Sequence, residues 1–235
     1  LFRSLDLYKF LVERMAGMLE KHCKANARAA AGGMVVNTMG WVEGNGYQLL
    51  LHAAEQLQVD TVVVLGQEKL YSQLHAHYQA TSGGAVAVTK LGKSGGVVGR
   101  DSAYRKQGRM LRIKEYFYGF SGNLSPHSQS TPLEIFKVFR VGGGPKAPSS
   151  ALPIGQDSIQ DPLRVQQLPW GSERLHSVLA VSHAKTPEEI LTSNVAGFIY
   201  VTEVDLAKGR VTYLSPCPGA LPGVLLIEGG LKWYE

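Results

Sequence analysis

Residues Ala85–Arg100 read AVAVTKLGKSGGVVGR, and inside them residues 87–94 spell AVTKLGKS, an A-x-x-x-x-G-K-S pattern. This is one residue away from the phosphate-loop pattern G-x-x-x-x-G-K-[ST]. A working phosphate loop follows a strand, wraps backbone N–H groups round the phosphates, and begins a helix at its Lys-Ser. Here the stretch Ala85–Leu91, which takes in the four variable positions, is itself strand-like, with valines at 86 and 88 followed by Thr89. Ser94 is followed by Gly95 and Gly96, which would occupy the first turn of the helix at a cost of about 1 kcal/mol each. Ala87 also replaces the glycine that the tight turn favours. The segment reads as a strand, Ala85–Leu91, running into a glycine-rich connection.

Upstream of that strand the pattern alternates. Leu5, Tyr8, Leu11, Val12, Met15 and Leu19 have helical spacing within an amphipathic helix over Leu1–Ala27. Met34-Val35-Val36 reads as a short buried parallel strand. A second helix is expected over Tyr47–Leu57, after the turn residues Gly44-Asn45-Gly46. Thr61–Leu65, TVVVL, is a β-branched strand, and Gln67–Tyr78 a third helix. Helix, strand, helix, strand, helix, strand is the order of an α/β fold with a parallel sheet.

Downstream the character changes. Gly92–Gly119 is rich in glycine and arginine, and beyond Gly122 come short strands separated by Gly and Pro. Expected strands are Glu134–Val141, Val178–Ser182, Phe198–Val204, Val211–Leu214 and Val224–Ile227. VAGFIYVTEVD and GRVTYLSP, joined through Leu206–Gly209, look like a hairpin. Gly142–Pro169 reads as a long surface loop. Two domains are expected, 1–122 and 123–235, the second α+β.

The chain has 235 residues, 44% hydrophobic and 18% charged, an ordinary globular composition. No apolar run approaches the roughly 20 residues of a membrane span. Cys23 and Cys217 are too few for a disulfide framework and suggest a reducing compartment. No metal-binding pattern is visible: His75 and His77 point to different faces of a helix. Residues 1–125 hold 15 Lys and Arg against 9 Asp and Glu, a net of +6, whereas 126–235 hold 9 against 10. A polyanionic partner for the first half is plausible on that charge, as is a merely solubilising surface. The sequence opens on Leu1, not Met, and is expected to be part of a longer protein.

Two features carry candidate chemistry. In GRDSAYRKQGRMLRIKEYFYG, a helix over Asp101–Tyr116 would put Arg105, Arg109 and Arg112 on one face, with Arg100 at its entrance. A glycine hinge leading into an arginine-bearing helix suits a lid over phosphates, because guanidinium groups stabilise the oxygens of a transferring phosphoryl group. A solvated basic helix explains the same residues. Trp41, just past the expected strand Met34–Asn37, stands where open parallel sheets bind ligands. It could stack on a nucleobase or pack against the following helix.

NTMGWVEGNGYQLLLHAAEQLQVDTVVVLGQEKLYSQL and KSGGVVGRDSAYRKQGRMLRIKEYFYGF resemble the Clp family of polyribonucleotide 5′-hydroxyl kinases, subunits of eukaryotic pre-mRNA cleavage complex II. The resemblance continues through SNVAGFIYVTEVD, TYLSPCPGALP and LLIEGGLKW, and is weakest over Lys146–Glu173. It implies the C-terminal part of a P-loop NTPase-type parallel sheet with helices, followed by a smaller α+β C-terminal domain. It implies Trp41 as the RNA-binding, base-stacking residue and Arg100, Arg105 and Arg109 as lid arginines of catalysis. The family's phosphate loop, metal-holding aspartate and RNA clasp have no counterpart in these residues. Family members use ATP and Mg²⁺; this chain alone is expected to bind neither and to be inactive, with no metal ligands of its own. The resemblance further implies the RNA 5′ end and other cleavage-complex subunits as partners, no membrane, and a nuclear location. A catalytically silent, ATP-binding scaffold is the alternative. Lys93 as the centre of an independent NTPase is the reading that the glycines after Ser94 oppose. If earlier strands of the sheet are missing, the exposed edge and apolar surface should leave the chain poorly soluble alone.

Overall fold

The computed structural model describes residues 5–142 and 161–234. It divides into two compact units, Leu1–Gly99 and Arg100–Glu235.

The first unit contains helices α1 (Leu5–Ala25), the short α2 (Ala27–Gly32), α3 (Asn45–Gln56) and α4 (Glu68–Ser82), and strands β1 (Thr61–Leu65) and β2 (Ala87–Leu91). The expected helices are present with ends shifted by a few residues. β1 and β2 pair in parallel, from Thr61 opposite Ala87 to Leu65 opposite Leu91. Parallel neighbours need a crossover, and α4 supplies it. Its Leu70 and Leu74 bury against Val64 of β1. α1 packs on α3, burying Val12.

Met34–Val36 corrects the sequence reading: no strand forms there, and Val35 is 98% exposed. Among the described residues the first unit's sheet has two strands, β1 and β2. A buried strand needs hydrogen-bonding neighbours and covered faces, and apolar composition alone provides neither.

The second unit opens with α5 (Ser102–Tyr118). Its sheet comprises β3 (His127–Pro132), β4 (Lys137–Val141), β5 (Val165–Leu168), β6 (Ser177–Ser182), β7 (Val195–Asp205), β8 (Arg210–Ser215) and β9 (Leu225–Lys232). The seven strands lie in the order β3-β8-β7-β6-β9-β4-β5, antiparallel except for the parallel pair β4–β9. The β7–β8 hairpin turns at Leu206–Gly209, with Asp205 opposite Arg210. Sequence reading missed β3 and β5. β3, HSQSTP, is polar and lies at one edge of the sheet; β5 lies at the other, inside the stretch read as loop. Of that expected loop, 143–160 lies outside the described residues.

Side chains alternate across the sheet. Leu179 and Val181 of β6, with Ile199 and Val201 of β7, join a core with Phe136 and Tyr213. Val178 and Tyr200 point to the opposite face and meet Ile113 and Phe117 of α5. Both faces are covered. Glu228 of β9 is also buried, bonded by Arg140 at 2.7 Å, with the buried Arg174 guanidinium 3.6 Å from the same carboxylate oxygen.

Candidate functional site

The AVTKLGKS segment takes a strand geometry over residues 87–91 and no helix follows Lys93-Ser94. Instead Ser94 closes a turn, accepting hydrogen bonds from Val97 N–H at its carbonyl (3.1 Å) and from Gly96 N–H at its hydroxyl (3.3 Å). The stem of Lys93 lies along Gly66, where an added Cβ would stand 2.6 Å from Lys93 Cγ. A lysine laid along the backbone, with no helix N-terminus behind it, does not form a triphosphate cradle. These residues therefore do not fit ATP as a phosphate loop would.

Trp41 lies in the first unit, between a segment without regular structure and α3. No strand forms at 34–37, so Trp41 does not stand at a strand's carboxyl end. Its indole covers Gly46 in the first turn of α3; a Cβ there would come 2.6 Å from Trp41 Cγ, so only glycine permits this approach. The ring nevertheless remains 39% exposed. One side packs on the helix and the rest reaches solvent.

Arg100, Arg105 and Arg109 lie in the second unit. Asp101 caps α5 by accepting a hydrogen bond from Tyr104 N–H at 2.7 Å. Arg105 donates to the Arg100 carbonyl at 2.5 Å, tying the chain entering the helix to its first turn. The Arg100 guanidinium lies 5.6 Å from the centre of the Tyr104 ring. All three arginines are exposed. Residues 100–118 hold six cations (Arg100, Arg105, Lys106, Arg109, Arg112, Lys114) against two carboxylates, Asp101 and Glu115. Asp101 is committed to the cap, and Glu115 pairs with Arg112 at 2.6 Å. Arg100, Arg105 and Arg109 have no ion-pair partner among the described residues, so their charge is available to an anion. The Arg105–Arg109–Arg112 face expected from spacing is thus divided: Arg112 is paired and the other two are not.

No group of three or more His, Cys, Asp or Glu among the described residues could hold a metal ion. No described helix is long and apolar enough to cross a membrane.

A family model described as the P-loop of mRNA cleavage and polyadenylation factor CLP1 matches residues 2–119, and one described as pre-mRNA cleavage complex II protein Clp1 matches residues 124–235. The chain belongs to the Clp1 family. A CLP1 homologue of Arabidopsis thaliana is 51% identical over 233 residues, covering 99% of this chain and 52% of the relative. The polyribonucleotide 5′-hydroxyl-kinase Clp1 of Homo sapiens is 41% identical over 236 residues, covering 99% and 54% respectively. This member of the Clp1 family therefore spans about half the length of the curated relatives it matches. A solved Clp1p chain in complex with Pcf11p superposes with a TM-score of 0.83 at 21% identity, over 98% of this chain and 53% of that one. At that identity the likeness establishes the fold, an α/β arrangement of helices and sheets.

The first family model extends to residue 119 and takes in α5, whereas packing places α5 with the second unit. Sequence reading selected the helix for its arginines and passed over the aromatic run Tyr116-Phe117-Tyr118 at its other end. The signal was present in KEYFYGF, but its partners Tyr200 and Trp233 are distant in sequence.

Proposed function

We propose that these residues serve as the second half of a polynucleotide 5′-hydroxyl kinase of the mRNA 3′-end processing machinery, transferring the ATP γ-phosphate to the 5′-hydroxyl of RNA. One observation carries the reading: a Clp1-family chain presents, at the entrance and along the first half of α5, three exposed arginines with no ion-pair partner among the described residues. Their guanidinium groups would neutralise phosphate charge, and electrostatic stabilisation of this kind is a large part of phosphoryl-transfer catalysis. Trp41, packed on Gly46 on one side and exposed on the other, would stack the terminal base. ATP with Mg²⁺ would supply the phosphoryl group. Residues 87–94 do not hold it, so this chain alone is expected to show no turnover. The domain boundary near residue 122 belongs to the same reading, as do a nuclear location and association with cleavage-complex subunits.

The decisive measurement is 5′-phosphorylation of an RNA oligonucleotide by a family-length protein carrying this sequence. Arg105→Ala should lower kcat by roughly a hundredfold or more, and unchanged turnover would reject the lid role. A second reading has support from the solved relatives, in which Clp1p is bound to Pcf11p: an ATP-binding assembly platform without turnover. A family-length protein that binds ATP and a cleavage-complex subunit while leaving RNA unphosphorylated would favour it.

A further inference from the structure

α5 is a helix with two different ends. From Ser102 to Gln107 every residue is exposed, whereas Ile113 and Phe117 near the other end are buried. That buried end sits on the second unit's sheet. Phe117 stacks on Trp233 with ring centres 6.0 Å apart and planes 8° from parallel. Tyr200 closes the same cluster, 4.8 Å from Trp233 and edge-on to it. Tyr116 makes a directional contact as well: its hydroxyl accepts a hydrogen bond from Phe198 N–H at 2.9 Å, and its ring meets the Phe198 ring edge-on at 5.7 Å. Gly197 is cut away to admit that hydroxyl, since a Cβ there would be 2.8 Å from Tyr116 Oη. Stacking and edge-on aromatic contacts fix orientation as well as burial.

We propose that the seat formed by Phe198, Tyr200 and Trp233 acts through Tyr116 and Phe117 to position Arg105 and Arg109, so that the C-terminal sheet determines where the guanidinium groups stand. The proposal rests on the lid reading above and assigns these aromatics as positioning residues for the transfer. The lever is one unbroken helix. At 1.5 Å per residue, Arg105 lies about 18 Å and Arg109 about 12 Å along the axis from Phe117. A tilt of about 5° at the seat therefore displaces Arg105 by roughly 1.5 Å. A displacement of that size can cost up to roughly a hundredfold in a reaction that depends on placement, and a partial or transient one correspondingly less.

The test uses the family-length protein, with kcat and KM measured for ATP and for a 5′-hydroxyl RNA oligonucleotide. A distance distribution between spin labels at Gln107→Cys and Lys208→Cys, in a background without other reactive cysteines, reports helix orientation independently of activity. Tyr116→Phe removes the acceptor and keeps the ring; Phe117→Leu stays apolar, keeps most of the volume and removes the stack. Both should broaden the label distance. Both should lower kcat by roughly three- to tenfold or more with KM unchanged within twofold, since misplacement acts on the transition state. A narrow, unmoved distance in both variants overturns the proposal. So does a broadened distance with wild-type kcat while Arg105→Ala remains impaired, an outcome that leaves the kinase reading standing. Unimpaired Arg105→Ala removes the lid role itself and the proposal with it. Phe117→Ala is less informative than these two because loss of folding would obscure its kinetics.

Discussion

The two units contain strands of similar composition and very different burial. β1 in the first unit, TVVVL, has Val62 and Val64 turned toward α4, but Val63 on the other face is 51% exposed and Leu65 is exposed beside it. β6 in the second unit, SVLAVS, buries both faces, and Leu179 is fully inaccessible. The apolar content of a strand measures its demand for partners, and the number of layers around the sheet decides whether that demand is met. The second unit meets it with five more strands and a helix on one face.

Four measurements would break or sharpen that contrast. The largest effect is expected at Glu228, buried between Arg140 and Arg174. Glu228→Ala removes the buried one of the two carboxylates beside Arg174, leaving the exposed Glu173, and should cost about 3–5 kcal/mol in denaturant unfolding followed by tryptophan fluorescence. Arg174 Nε already lacks a hydrogen-bond partner among the described residues, which leaves the network little room to adjust. A loss below 1 kcal/mol would show that water replaces the carboxylate.

Next comes a matched pair. Leu179→Ala should cost about 2–5 kcal/mol by the same assay, while Val63→Ala in the first unit should stay within about 0.5 kcal/mol. Equal costs would mean that the exposed face of β1 is covered in solution. The third measurement asks what that face does in the isolated chain. A hydrophobic dye should bind it, and binding should fall when Val63 and Leu65 are both replaced by Thr, which preserves strand propensity. Unchanged binding would place the dye elsewhere and weaken the expectation of poor solubility.

The smallest effect belongs to the β7–β8 turn. The Asp205 carboxylate accepts a hydrogen bond from Lys208 N–H at 2.9 Å, and that bond, aided by the nearby Lys208 ammonium, holds its pKa below the usual carboxylate value. A lowered folded-state pKa stabilises the protein above the unfolded pKa, and the gain is lost as pH falls through the folded value. Asp205→Ala should therefore lower Tm slightly at neutral pH, with the gap to the parent closing under strongly acidic conditions. A gap that widens with acid would reverse the assignment.

Much of this molecule was legible from sequence because the signals were local. Helical spacing marked α1, the turn Gly44-Asn45-Gly46 marked the start of α3, and the short Leu206–Gly209 connection between two strand-like segments marked the β7–β8 hairpin. Gly95-Gly96 ruled out a helix after Lys93-Ser94, and the structure has a turn there. The candidate site was half legible. Arg100, Arg105 and Arg109 were visible as a charge pattern, but that they have no carboxylate partner among the described residues became visible only once the Arg112–Glu115 pair and the Asp101 cap were located.

The failures share a cause. Met34–Val36 has strand-like residues and no strand, while β3 has polar residues and pairs fully with β8. Strand formation depends on what lies alongside, and an edge strand needs hydrogen-bonding neighbours more than apolar side chains. Sequence by itself determined the order of elements from α3 to β2, the cationic helix and the family to which the chain is related, because each is written in short-range spacing or in matched segments. Only the tertiary structure decided that α5 packs with the C-terminal sheet, because Phe117, Tyr200 and Trp233 are brought together by strand pairing between segments far apart in the chain.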